Sequence, residues 1–180
     1  MQNGPVVWFT GLSGSGKTTL SREVEKMLHA LSISVEALDG DTFRKHLASD
    51  LGFTRQDRHT NIERAAYVAG LLSRHRITVL ASFITPYRSM HSYLREKLDP
   101  YIEIYVKSSL EECIRRDVKG LYRKSLAGEI QAFSGVTDPY EEPEHPDLIL
   151  DTEQCTPEEG AREVIALLQR RQLLYTGSKS

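Results

Sequence analysis

Cysteine is scarce. Cys113 and Cys155 are the two in 180 residues, far apart and outside any metal-binding spacing. That excludes a disulfide-stapled scaffold and a zinc ribbon, and makes reduced thiols in a cytoplasmic protein the expectation. The six histidines show no metal spacing either, so a zinc role is not expected. No apolar run approaches the roughly 20 residues that a bilayer span needs. The chain enters an apolar strand pattern with no basic-then-apolar leader, so no membrane partner is expected. Charge of one sign is also lacking: Lys+Arg 23 against Asp+Glu 25 gives −2. Without a basic excess to neutralise a polynucleotide backbone, no nucleic-acid partner is expected. Asparagine occurs at Asn3 and Asn61, and neither precedes lysine. The Asn-Lys-x-Asp motif by which a GTPase-type switch reads its base is therefore missing. With 39% hydrophobic and 27% charged residues, residues 1–180 suit one globular domain with its own core.

What is present is the stretch Gly11-Leu12-Ser13-Gly14-Ser15-Gly16-Lys17-Thr18. It follows the apolar run Val6-Val7-Trp8-Phe9 and leads into a helical pattern. This is G-x-x-x-x-G-K-[ST] in a strand–loop–helix setting, a P-loop. Glycines let the backbone fold into a concave nest with its N–H groups turned inward, and the helix adds its positive end. Lys17 supplies a point charge for the β- and γ-phosphates of a nucleoside triphosphate, and Thr18 a hydroxyl for Mg²⁺. Thr19 continues the motif into the helix.

Hydrophobic periodicity orders the rest. Strands are expected at Val6–Thr10, Ser34–Asp39, Ile77–Phe83, Tyr101–Val106 and Leu148–Leu150, and helices at Lys17–Leu31, Thr42–Ser49, Thr54–His75, Ser89–Leu98, after Ser108 or Ser109, and from Thr156 onward. Strands alternating with helices predict an α/β fold, a P-loop NTPase-type parallel sheet sandwiched by helices. Between 118 and 147 the pattern lapses into glycines, prolines and charges. A structureless stretch of that length reads as a functional segment, a mobile lid at about 118–147, or as disorder. The tail 175–180 is expected to fray.

Ligands of such sheets sit beyond the carboxyl ends of the strands. That rule brings the P-loop, Asp39-Gly40-Asp41 and Phe83-Ile84-Thr85-Pro86 to one rim. The third strand ends Ala81-Ser82-Phe83, with no acid where many P-loop NTPases keep one. Any carboxylate contact to the metal must then come from elsewhere, and Asp39 and Asp41 are the nearest candidates, directly or through water. Asp41 is the candidate for orienting and deprotonating an acceptor hydroxyl, although Asp-Gly-Asp also suits a plain turn. Arg44, Arg58 and Asn61 follow, the last two on one helix face. They suit a second anionic ligand, or a solvated surface. Lys119 and Phe133 lie in the lid stretch, where cations could close on phosphates and an aromatic could stack on a base.

The ordered set of Gly11–Thr19, Leu38-Asp39-Gly40-Asp41, Asp50-Leu51-Gly52-Phe53, Asp57-Arg58 through Asn61-Ile62, Phe83–Arg88, Lys119-Gly120-Leu121-Tyr122 and Asp138-Pro139-Tyr140-Glu141 resembles the adenylyl-sulfate kinase (APS kinase) family. The resemblance runs from about Val6 to Leu168. It implies transfer of the ATP γ-phosphate to the 3′-hydroxyl of adenylyl sulfate (APS), giving 3′-phosphoadenylyl sulfate (PAPS) and ADP in sulfate activation. It implies that Asp39, Asp41, Arg44, Phe53, Arg58, Asn61, Ile84, Thr85, Lys119 and Phe133 surround APS. Cys155 and one of Arg115 or Arg116 would lie near the ATP adenine. It also implies a homodimer and functional coupling to an ATP sulfurylase. The chain departs from the family pattern at Thr85, where serine is usual and where some members carry a phosphoenzyme form, and at Thr42 and Ala132, often asparagine and glycine. An APS-binding protein without activity would keep the arginines and lose Lys17 or Asp41; both are here.

Overall fold

The computed structural model describes residues 2–117, 119–130 and 132–174. Five strands, β1 (Val6–Thr10), β2 (Val35–Asp39), β3 (Thr78–Ser82), β4 (Tyr101–Lys107) and β5 (Leu148–Asp151), form one parallel sheet in the order β2-β3-β1-β4-β5. β1 is central, and all five of its residues are buried, as in a strand covered on both faces. Its side chains alternate between two cores. Val7 and Phe9 pack with Leu20, Val24 and Leu28 of α1 (Lys17–Ala30) and Val164 and Leu168 of α7 (Pro157–Arg170). Val6 and Trp8 pack on the other face with Ile62, Ala65 and Ala69 of α3 (Arg55–Arg74) and Met90 and Leu94 of α4 (Arg88–Lys97).

Local chemistry sets the helix ends. Thr54 accepts from Asp57 N while the Asp57 side chain returns to the Thr54 N–H, a complete capping box opening α3. Thr156 and Glu159 do the same for α7, with Pro157 at its first turn. Ser109, not Ser108, caps α5 (Leu110–Arg116) through Glu112 N at 3.2 Å. The short α2 starts at Gly40 rather than Thr42 (Gly40–Leu47), because the Asp39 carboxylate caps it by accepting from the N–H groups of Asp41 and Thr42.

The stretch 118–147 differs from the structureless expectation. It contains a six-residue helix, α6 (Leu121–Leu126), and a single bridge between Ser134 and Asp138. The Asp117 carboxylate accepts from Tyr122 N and Arg123 N at 3.0 Å each, satisfying the first donors of α6. Tyr122 and Phe133 meet edge-on at 4.9 Å and, with Cys113, form a third small core. The frayed tail expected at 175–180 lies outside the described residues.

Candidate active site

A cavity of about 830 Å³ runs along the carboxyl ends of β1, β2 and β3. Its lining includes the P-loop, Asp39–Asp41 and Ser82–Pro86, which the parallel topology brings to one rim. Among the described residues, five cations and two carboxylates line it: Lys17, Arg44, Arg58, Arg116 and Lys119 against Asp39 and Asp41. A chain whose formal charge is −2 thus concentrates positive charge in one concavity, the setting in which polyanionic ligands are held.

The P-loop has the geometry its spelling predicts. Gly11 has φ +152°, and a Cβ there would lie 2.3 Å from the Val106 carbonyl oxygen. Gly16, left-handed at φ +103°, turns the chain into α1. Lys17 donates to the carbonyls of Gly11 at 3.0 Å and Leu12 at 2.7 Å. Burial, with Lys119 nearby, pulls the Lys17 ammonium down to about 8. Ser13, Gly14, Gly16, Thr18 and Thr19 face the cavity. Ser15 is fully buried behind the loop, and Gly11 and Leu12 contribute through their carbonyls.

Thr18 Oγ1 donates to Asp39 Oδ2 at 3.1 Å. Burial pushes the Asp39 carboxyl up, but the Thr42 N–H, the Thr18 hydroxyl and Lys119 outweigh it and hold Asp39 below its ordinary value. An ionised carboxylate beside a hydroxyl on the P-loop helix is an oxygen donor set that suits Mg²⁺. Among the described residues no three His, Cys, Asp or Glu side chains gather as a metal cage. Asp41 is exposed and pairs with Lys119, which lies just beyond α5.

The second half of the cavity belongs to Arg44, Phe53, Arg58 and Asn61. Arg44 donates to the carbonyls of Leu51 and Gly52 and lies 4.5 Å over the Phe53 ring. Arg58 reaches from α3 to Ala132 and Ser134. It donates to Phe53 O at 3.0 Å, to Ser134 Oγ at 2.9 Å and to Ala132 O. Tyr87 OH, donating to Asp138 at 2.7 Å, makes a second tie to the stretch 118–147. The Asn61 Oδ1 atom is buried without a partner among the described residues. Ile84 and Phe133 line the same half. Thr85 is 1% exposed, has φ +52°, and its hydroxyl accepts from the Trp8 indole N–H at 2.9 Å.

At the far end the structure separates the two arginines left open by the sequence. Arg116 lines the cavity and donates to Thr152 Oγ1 at 3.1 Å and Thr152 O at 3.2 Å. Arg115 is outside the lining, 75% exposed and held by Glu112. Cys155 lines the cavity, donates to Asp151 O at 3.2 Å, and has its thiol pushed up by burial and by Glu163, Glu159 and Asp151. Sequence reasoning missed Thr152, whose hydroxyl donates to Ser15 O at 3.0 Å; Tyr122, named there within a motif, donates its hydroxyl to Ser13 O at 2.8 Å. Thr152 follows the end of β5, so the rule that found Asp39 and Thr85 would have found it too.

The chain is similar to known proteins over most of its length. The family model described as adenylylsulphate kinase matches residues 3–151. An adenylyl-sulfate kinase of Halothermothrix orenii is 52% identical, covering 94% of this chain and 92% of the relative. One from Synechococcus sp. is 51% identical over 84% of this chain and 86% of its own. Among solved structures, the Mycobacterium tuberculosis APS kinase in complex with AMPPNP and APS superposes with a TM-score of 0.90 at 41% identity, covering 94% of this chain and 99% of that one.

Proposed function

This chain belongs to the adenylylsulphate kinase family, and from that premise we propose how its own residues carry out the family's reaction. The protein is a kinase that moves the γ-phosphate of ATP to the 3′-hydroxyl of adenylyl sulfate, producing PAPS and ADP. The observation that carries this reading is one cavity with two cationic ends, Lys17 and Arg116 around the P-loop and Arg44 and Arg58 opposite, with Asp39 and Asp41 between them.

ATP lies with its β- and γ-phosphates in the P-loop nest. Lys17 turns from the Gly11 and Leu12 carbonyls to the phosphate oxygens, and Arg116, Cys155 and Thr152 border the adenine end. Mg²⁺, held by Thr18 and by Asp39 directly or through water, would neutralise phosphate charge during transfer. APS occupies the other half, its base beside Phe53 and Phe133 and its anionic group on the arginines. Asp41 orients the 3′-hydroxyl and takes its proton as the O3′–P bond forms and the bond from the γ-phosphorus to the bridging oxygen of ADP breaks. Transfer is direct, with no phosphoryl group passing through Thr85, whose hydroxyl accepts from the Trp8 indole N–H. The whole of 1–180 acts as one kinase domain, with 118–147 as its lid. Arg58 and Tyr87 hold that lid to the α3 and β3 side, and its closure excludes water as an acceptor.

A cytoplasmic location, a homodimer and coupling to an ATP sulfurylase complete the reading by family relationship. Among the described residues no helix is long and apolar enough to cross a membrane.

The test is ADP release from Mg·ATP with and without APS, run beside AMP, gluconate and shikimate, with the product identified by mass. Stimulation by APS alone, with PAPS formed, is the expected result. Stimulation by another acceptor instead would overturn the substrate.

A further inference from the structure

The end of β3 holds a buried hydroxyl that no role described so far uses. Ser82 is the last residue of β3, 5% exposed, and it lines the cavity. Its Oγ is buried and has no hydrogen-bond partner among the described residues. Buried side-chain polar atoms without a partner are uncommon, and each asks for a ligand, a water or a structural reason. Ser82 is also the register partner of Asp39 on β2 and of Phe9 on β1. Side chains alternate along a strand. Ser82 therefore projects to the same sheet face as Leu80, which packs in the core built on α1. That is the face carrying Lys17 and Thr18.

P-loop NTPases commonly hold Mg²⁺ with a P-loop hydroxyl and an acid at the end of a neighbouring strand. Here the strand end is a neutral hydroxyl, and the carboxylate stands one strand further out, on Asp39. Mg²⁺ gives up its waters reluctantly and keeps several of them in protein sites. A hydroxyl both donates and accepts, so it can orient such a water where it could not replace a carboxylate as a ligand.

We propose that Ser82 is a positioning residue for the nucleotide's metal: its hydroxyl holds a water of the Mg²⁺ shell whose protein oxygens come from Thr18 and Asp39. The alternative, a serine that merely fills a small space beside Gly40, whose Cβ position lies 3.0 Å from Ser82 O, predicts no link to metal. The proposal rests on the Mg·ATP reading above, and the experiment separates the two.

AMPPNP affinity is measured by calorimetry in EDTA and across a titration of free Mg²⁺, for the wild type and for Ser82→Ala, Ser82→Cys and Ser82→Thr. Partners just outside the metal's own ligands typically change metal affinity by about tenfold or more. In Ser82→Ala, affinity in EDTA stays within about twofold of wild type, while the Mg²⁺ concentration giving half the tightening rises roughly tenfold. Ser82→Cys keeps the volume with a poor partner for water and behaves like alanine, so it serves where the alanine variant loses its fold. Ser82→Thr keeps the hydroxyl and restores the wild-type requirement. An unchanged Mg²⁺ requirement in the alanine or cysteine variant would overturn the proposal. So would equal weakening with and without metal, or a folded threonine variant that fails to restore it. A wild type that Mg²⁺ does not tighten at all would overturn the metal reading and this assignment together.

Discussion

Lys119 and Asp41, 78 positions apart in sequence, form an ion pair at the edge of the cavity. The pair joins the chain just beyond α5 to the first turn of α2. In the proposed function it stands between ATP at the P-loop and APS on the arginines, where Asp41 meets the acceptor hydroxyl rather than binding ATP. Asp41→Asn keeps the shape and removes the proton acceptor. Its turnover falls by at least about a hundredfold, while AMPPNP affinity stays within about twofold. Steady-state ADP release with APS and calorimetry with AMPPNP measure the two effects. Turnover within a fewfold of wild type would remove Asp41 from the chemistry.

Lys17 makes nucleotide binding depend on pH. With its ammonium pulled down to about 8 by burial and by Lys119, the free protein loses that proton as pH rises past 8. Bound phosphates favour the charged form and raise its pKa again. Between those two values binding takes up a proton, so affinity falls by up to about tenfold per pH unit. AMPPNP therefore binds about tenfold more weakly at pH 9 than at pH 7.5. Lys17→Met binds weakly at both and is nearly flat between them. A flat profile for the wild type would mean that Lys17 keeps its charge throughout.

Thr85 distinguishes direct transfer from a phosphoenzyme. It lines the cavity but is buried, at left-handed φ, with its hydroxyl the acceptor for the Trp8 indole. Thr85→Ala leaves that N–H unpaired at a cost of about 1–2 kcal/mol, partly offset because a β-branched residue is strained at positive φ. Turnover per folded molecule stays within about threefold, less than 1 kcal/mol of barrier. Thr85→Ser keeps both stability and rate. A collapse of turnover in the alanine variant alone, or label from γ-labelled ATP retained on residue 85, would place a phosphoenzyme on the path.

What the sequence disclosed and what it hid follow from the range of the interactions. The five strands and their order of use were legible because each is a short apolar run beside turn chemistry, and the P-loop is spelled locally. The rim followed from topology alone, since parallel strands deliver Asp39, Ser82 and Thr85 to one edge. Helix α6 was hidden because only Tyr122 and Ser125 of its six residues are buried, too few for a periodicity. Its cap, Asp117, lies four residues before it. Arg115 and Arg116 differ by about 100° around a helix, and only the positions of Glu112 and Thr152 decide which one turns inward. Ser82 read as a missing acid; its unpartnered hydroxyl emerges only once burial is known.

The segment leading into β5 is anchored by charge, and this gives the last prediction. Glu103 on β4 is 1% exposed. Its Oε1 lies 2.7 Å from His91 Nδ1 and accepts from Tyr101 OH at 2.8 Å. Its backbone N–H donates to Asp147, which also accepts from Arg171 at 2.8 Å. Arg95 adds a bond to His145 O at 3.0 Å, so the segment leading into β5 is tied to α4, β4 and the end of α7. Burial pushes the Glu103 carboxyl up, but His91, Tyr101 and Arg95 overcome it and leave Glu103 below its ordinary value. The sign follows. A carboxyl depressed by folding contributes stability that is present above its unfolded value of 4.5 and is lost as pH falls through the lower folded value. Glu103→Gln removes the charge that these partners are arranged around and destabilises the protein by about 3 kcal/mol at pH 7. Because the glutamine does not titrate, the gap to wild type narrows below pH 4.5. Denaturant midpoints at pH 7 and pH 4 measure both effects. A variant as stable as wild type at pH 7, or a gap that widens in acid, would remove Glu103 as the electrostatic anchor of this network.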